Sequence, residues 1–182
     1  YVLFQERLSS AARLAGQQMW SEAAAAYAEA TGLEPMSANA SDGRGICAAN
    51  LDQPAAEYFQ RAVDLDGLPF RAETQINAAI REAARDFESR GVQLIDTAKT
   101  FAAAAPSSAP GQESFYEHVH FNFEGNYRLA LVWAESIARL LPAEARRNEA
   151  PGWADPKECA RALGLSDWAR LDVFEGVLRR FQ

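Results

Sequence analysis

The spacing of apolar residues predicts helices along most of the chain. Gly67 and Pro69 interrupt the sequence, and Ile76, Ile80, Ala83 and Phe87 then recur at intervals of four, three and four. That is the one-face period of an amphipathic helix, which should begin near Ala72 and end at Gly91. Residues 92–96, "VQLID", form a short apolar run and are the one predicted strand. A short helix over "TAKTFAAAA" and a loop over "PSSAPGQES" follow. Asn122 is positioned to cap a helix whose buried face would be Tyr127, Ala130, Ala134, Ile137 and Leu141, closed by Pro142. Asp155 and Pro156 start another helix, which ends at Gly164. Ser166 caps the last, with a stripe of Trp168, Leu171, Phe174, Leu178 and Phe181. The expected fold class is mainly α, about eight helices with one short isolated strand.

The first 68 residues carry an internal repeat. In "MWSEAAAAYAEATGLEP" the small Ala23 is followed by Tyr27, Ala30 and Pro35, and the preceding "ERLSSAARLAG" supplies Ala11 and Leu14. Gly45 and Ala48 lie 34 residues after Ala11 and Leu14, while Phe59 and Ala62 lie 32 after Tyr27 and Ala30, so the second copy is two residues shorter in its turn. Small residues let two helix backbones approach, and the aromatic fills the groove between them. The pattern resembles the tetratricopeptide repeat, which implies antiparallel helix pairs and a protein partner. An ordinary Ala-rich helical hairpin is the alternative. Two such repeats are fewer than the three or more usually needed for stability alone, so the rest of the chain is expected to cap them. The expected division is 1–68 for the repeats and 69–182 for a strand-plus-helices region.

Composition narrows the partners. Eighteen basic against 25 acidic residues give a net charge of −7. No Lys/Arg cluster is dense enough to neutralise a run of phosphates, so nucleic acid is not an expected partner. No apolar run reaches the roughly 18 residues of a membrane span. Cys47 and Cys159 are far apart and have no Cys or His at ligand spacing, which reads as free thiols. The chain begins at Tyr1 and not at Met, which suggests a piece of something longer.

Both histidines fall in "FYEHVHFNFEGNYRLA", residues 115–130. A carboxylate three residues before an imidazole on a turn can hold one ring nitrogen while the other faces a nucleophile. Alternatively, His118 and His120, on one face of an extended segment, could bind a metal with Glu117 or Glu124; no further histidine exists and no metal or other cofactor is expected. A third reading makes His118 a surface residue and His120 a hydrogen-bonding group at a helix start. Trp20, Trp133, Trp153 and Trp168, with Phe115, Phe121 and Phe123, are expected in the core more than in a ligand groove. Arg71 is expected in a salt bridge before its helix, and Arg146 and Arg147 in a solvated loop.

Taken in order, residues 77–130 comprise a helix, a glycine, a strand ending in Asp96, a loop, Glu117-His118-Val119-His120, then Phe121, Asn122, Gly125 and Tyr127. This resembles the C-terminal part of an SGNH (GDSL-type) hydrolase, in which Asp-x-x-His follows the last strand. Helical repeats joined to it also resemble bacterial multidomain proteins, which implies a bacterial cytoplasmic or periplasmic setting. The resemblance implies His120 as general base and Glu117 as the acid that orients it, both within a longer parent protein. Glu stands where Asp is usual, and Phe121 where Pro is common. No Gly-Asp-Ser nucleophile motif is present, so the chain by itself is expected to be inactive. Two functions are therefore open: a protein-interaction scaffold, or the acid–histidine part of an esterase. The partner would be another protein or the missing part of the parent, and an unpaired edge at 92–96 would also allow a homodimer.

Overall fold

The structure, a computed structural model, describes residues 1–145 and 152–180. Arg146, Arg147 and Phe181 lie outside the described residues. Among the described residues the chain is mainly helical, with nine α-helices: α1 (Val2–Gly16), α2 (Trp20–Leu33), α3 (Ala38–Asn50), α4 (Ala56–Leu65), α5 (Thr74–Asp86), α6 (Thr97–Ala104), α7 (Phe123–Leu140), α8 (Pro156–Ala162) and α9 (Asp167–Arg179). It divides into two compact units, Tyr1–Pro110 and Gly111–Gln182.

In the first unit the core sits among α1, α2 and α3. Ala11, Ala23, Tyr27 and Cys47 are buried together, while Phe4, Ala30 and Ala40 form a second cluster, with Leu8 against both. The start of α1 thus meets the end of α2, so the two helices run antiparallel. Small residues at the crossings allow this close approach. A Cβ on Gly43 would lie 2.3 Å from the Tyr27 ring, and one on Gly45 would lie 2.7 Å from the Phe59 ring. Hence α3 lays one glycine on the aromatic of α2 and another on that of α4. Arg44 adds a hydrogen bond to the Tyr58 hydroxyl at 3.1 Å and stacks over that ring.

The turns after α1 and α3 share one design. The Met19 N–H donates to Leu14 O at 3.0 Å and the Gln53 N–H donates to Ala48 O at 2.9 Å, each closing a six-residue C-terminal cap. Between them Gln18 (φ 59°) and Asp52 (φ 55°) take the left-handed conformation, 34 residues apart. The second pair is shortened at the start of its second helix. α2 opens three residues before Ala23, whereas α4 opens one residue after Ala55. Ala55 is 2% exposed and stands four residues before Phe59, as Ala23 stands before Tyr27. That equivalence is visible in the sequence once the shortening is placed there.

Beyond α4, Asp64 accepts from the Thr74 N–H and hydroxyl at 2.9 and 2.8 Å and so fixes the start of α5. A 3₁₀ turn at Glu88–Arg90 and Gly91 (φ 86°) end that segment. The strand expected at 92–96 is not formed. A strand needs a neighbour to complete its backbone hydrogen bonds, and none lies alongside these residues among those described. Asp96 instead accepts from the Lys99 N–H and caps α6, while Arg81 of α5 grips its carboxylate at 2.7 Å. The Arg81 hydrogen bond holds the Asp96 carboxyl below its usual range.

The face of α7 expected to be buried is partly exposed, and so are the apolar stripes of α5 and α9. Ile76, Ile80, Phe87, Ile137, Leu141, Trp168, Leu171, Phe174 and Leu178 all face solvent, as do Trp133 and Trp153. Periodicity places these residues on one face but does not supply the surface that covers it. Arg71 donates to Pro110 O at 2.9 Å. Cys47 is buried and both cysteines are free thiols. No helix among the described residues is long and apolar enough to cross a membrane.

The glycine contacts make a sharp test of the helical packing. Gly43→Ala should lower unfolding free energy by about 1–3 kcal/mol through overpacking, and Tyr27→Ala by about 3–5 kcal/mol. Gly16→Ala, where an added Cβ meets nothing within 4 Å, should not destabilise. Urea denaturation checks all three, and equal effects of the two glycine substitutions would contradict the contact.

Candidate acid–histidine site

The second unit opens with a tight loop. Gly111 O accepts from the N–H groups of Ser114 and Phe115 at 3.0 and 2.9 Å. Phe115 and Phe121 then form an antiparallel bridge with stacked rings, centroids 4.5 Å apart. The Tyr116 N–H donates to His120 O and the Asn122 N–H to Ser114 O, both at 2.9 Å. Residues 117–120 are therefore the tip of a closed loop. Its base is clamped by α7, because Gly125 lies so near Ser114 that an added Cβ would sit 2.1 Å from the carbonyl oxygen. Asn122 caps α7 as expected, accepting from the Gly125 N–H at 2.8 Å, and its amide donates to Gln112 O at 2.9 Å.

Glu117 is the centre of the tip. One carboxylate oxygen accepts from the His120 N–H at 2.9 Å and meets His120 Nδ1. The other accepts from the Val119 N–H at 3.1 Å and lies 2.7 Å from His118 Nδ1. The Glu117 side chain is 10% exposed and that of His120 66%, so the acid is covered while the imidazole remains accessible. Desolvation opposes ionisation of Glu117, but the hydrogen bonds from the His120 ring and from the two N–H groups, with the nearby His118, more than offset it. The carboxyl is lowered to about 2. An ionised carboxylate only accepts, so Nδ1 of each neutral ring carries the proton. In that tautomer Nε2 of His120 is an acceptor.

The expected pair, Glu117 and His120, is brought together. His118, expected as a surface residue or a ligand, shares the same carboxylate. Among the described residues no serine hydroxyl hydrogen-bonds the His120 ring, and no group of three His, Cys, Asp or Glu side chains is placed to hold a metal ion.

Behind the loop, Tyr116 meets Phe123 edge to face at 6.0 Å, and Arg170 of α9 stacks over Phe123 at 4.9 Å. The Tyr116 hydroxyl is buried without a hydrogen-bond partner among the described residues, and burial pushes its pKa up. A cleft of about 530 Å³ runs between the loop and α9. Sequence reading missed this wall, although Val173, Val177 and Arg180 stand at intervals that share one helix face.

Comparison with known protein families, curated proteins and solved structures finds no match to this chain.

The carboxylate can be tested by titration. A folded-state pKa of about 2 against an ordinary 4.5 means that ionised Glu117 favours the folded state. That contribution is complete above the ordinary value and is lost as pH falls through about 2. Carboxyl ¹³C NMR should give a Glu117 midpoint near 2, and Glu117→Gln should flatten stability against pH between those values. A midpoint near 4.5 would contradict the donor set.

Proposed function

We propose that residues 111–182 supply the acid and the general base of an SGNH-type ester hydrolase whose serine nucleophile lies in a longer chain. The observation that carries this reading is the contact of the Glu117 carboxylate with Nδ1 of an exposed His120 ring. In the reaction, Nε2 takes the proton of the serine hydroxyl as its oxygen adds to the ester carbonyl, then returns it to the departing alcohol. Water, deprotonated by the same nitrogen, releases the acid and restores the serine. Glu117 keeps the ring in the required tautomer and stabilises the imidazolium.

The 182-residue chain should not turn over p-nitrophenyl acetate, whereas a longer chain with the upstream segment should. In that longer chain His120→Ala should lower kcat by about 10³-fold or more and Glu117→Gln by about 10²- to 10⁴-fold, with the fold retained by circular dichroism. Full activity without His120 would sink the assignment.

A second reading concerns residues 1–68, for which we infer a tetratricopeptide-like protein-interaction module. It is supported by the shared cap at Gln18 and Asp52, by Ala23 and Tyr27 of α2 in the core, and by the Phe59 ring of α4 against Gly45. Ile46, 40% exposed on α3, is a suitable probe of the free helix face. Ile46→Asp should change stability by no more than about 0.5 kcal/mol and weaken capture of a partner. An unchanged partner set after Ile46→Asp would remove that face from the interaction.

A further inference from the structure

Among the described residues the second unit buries no apolar side chain, and only Ser114 and Gly125 are fully covered. A unit this small holds together through an apolar core or through a surface outside it. An exposed apolar stripe runs along α9. Trp168 is 81% exposed, and Leu171, Phe174 and Leu178 are each close to half exposed. At 3.6 residues per turn these four side chains fall within about 120° of one another around the helix. Val173, Val177 and Arg180 lie on the other side and line the cleft beside the loop, while Arg170 stacks over Phe123. One side of α9 therefore serves its own unit and the opposite side is bare.

The bare side is complementary to itself. When α9 is laid antiparallel on a second α9, with the two-fold axis between Asp172 and Val173, Trp168 meets Leu178 and Leu171 meets Phe174. Every member of the stripe then has an apolar partner, and symmetry makes each contact twice. The charges select the same register. Asp167 stands in the first turn of α9 and Arg179 in the last, so antiparallel pairing sets the acid of one copy beside the guanidinium of the other. Parallel pairing would instead bring Asp167 to Asp167 and Arg179 to Arg179, which like charges oppose. Arg179 bonds Glu175 of its own helix at 3.1 Å, and its side chain, 74% exposed, retains donors for a second carboxylate.

We infer that a second copy of this chain covers the stripe, with α9 of each copy packed antiparallel on α9 of the other. The four apolar side chains and the stems of the flanking arginines offer on the order of 500 Å² from each copy, hence about 1,000 Å² in all, the size of a weak, reversible dimer. The cleft and the acid–histidine loop lie on the other side of α9 and stay open, so the dimer and the hydrolase reading stand or fall separately.

Sedimentation equilibrium of the 182-residue chain should show monomer and dimer in exchange, with a Kd of about 10–100 µM. Asp167→Arg and Arg179→Asp should each weaken the dimer about tenfold, because each brings like charges together twice, and the two changes combined should restore it to within about threefold of the original. Leu171→Asp should leave only monomer, with the helical circular dichroism unchanged. A chain that stays monomeric up to about 1 mM would overturn the inference and assign the stripe to the rest of a longer chain or to another protein. A dimer indifferent to Leu171→Asp would place the contact on another face, with the same consequence. A double charge variant no tighter than the single ones would rule out the antiparallel register.

Discussion

The site depends on one backbone approach, that of Gly125 to the carbonyl of Ser114. That carbonyl accepts the N–H of Asn122, and the space a side chain on residue 125 would need is already taken by its oxygen. The first turn of α7 can therefore lie directly on the base of the loop. From this contact the rest follows in order. The loop closes, Phe115 stacks on Phe121, and the chain between them has room only for a short tip. Glu117 fills that tip with its own carboxylate, satisfied by two backbone N–H groups. A larger residue at 125 would separate helix and loop, and the histidines would lose their fixed relation to the acid.

The same device serves a different end in the first unit. Gly43 and Gly45 let α3 sit on two aromatic rings, one from the helix before it and one from the helix after it. Small residues there give interhelical packing, whereas Gly125 gives loop closure. Gly16, Gly32 and Gly176 belong to neither group, since an added Cβ on each would meet nothing within 4 Å.

Electrostatics and packing pull in opposite directions at Glu117. Covering a carboxylate disfavours its charge, yet this one is held ionised because four donors converge on two oxygens. The arrangement spends little protein on the task, since three of the four donors belong to residues 119 and 120. It also leaves the His120 ring accessible at the surface.

Helix starts were legible because their causes are local. Asn122, Asp155 and Ser166 each cap the helix they precede, through a side chain reaching an N–H three residues on. The acid–histidine spacing was legible for the same reason, as were Tyr27 and Ala30 in the packed pair. What required the tertiary structure was everything that depends on a distant partner. Residues 92–96 have the composition of a strand, but a ladder needs a second chain segment, and Asp96 capped a helix instead. The α7 face expected to be buried is partly exposed, as are the stripes of α5 and α9, because period determines direction while burial is decided by whatever surface arrives. The chain alone thus determined where it coils and which residues share a turn, since those preferences act over three or four residues; three-dimensional contact decided what is covered, what is shared and what is left open, since those depend on surfaces brought together from far along the sequence.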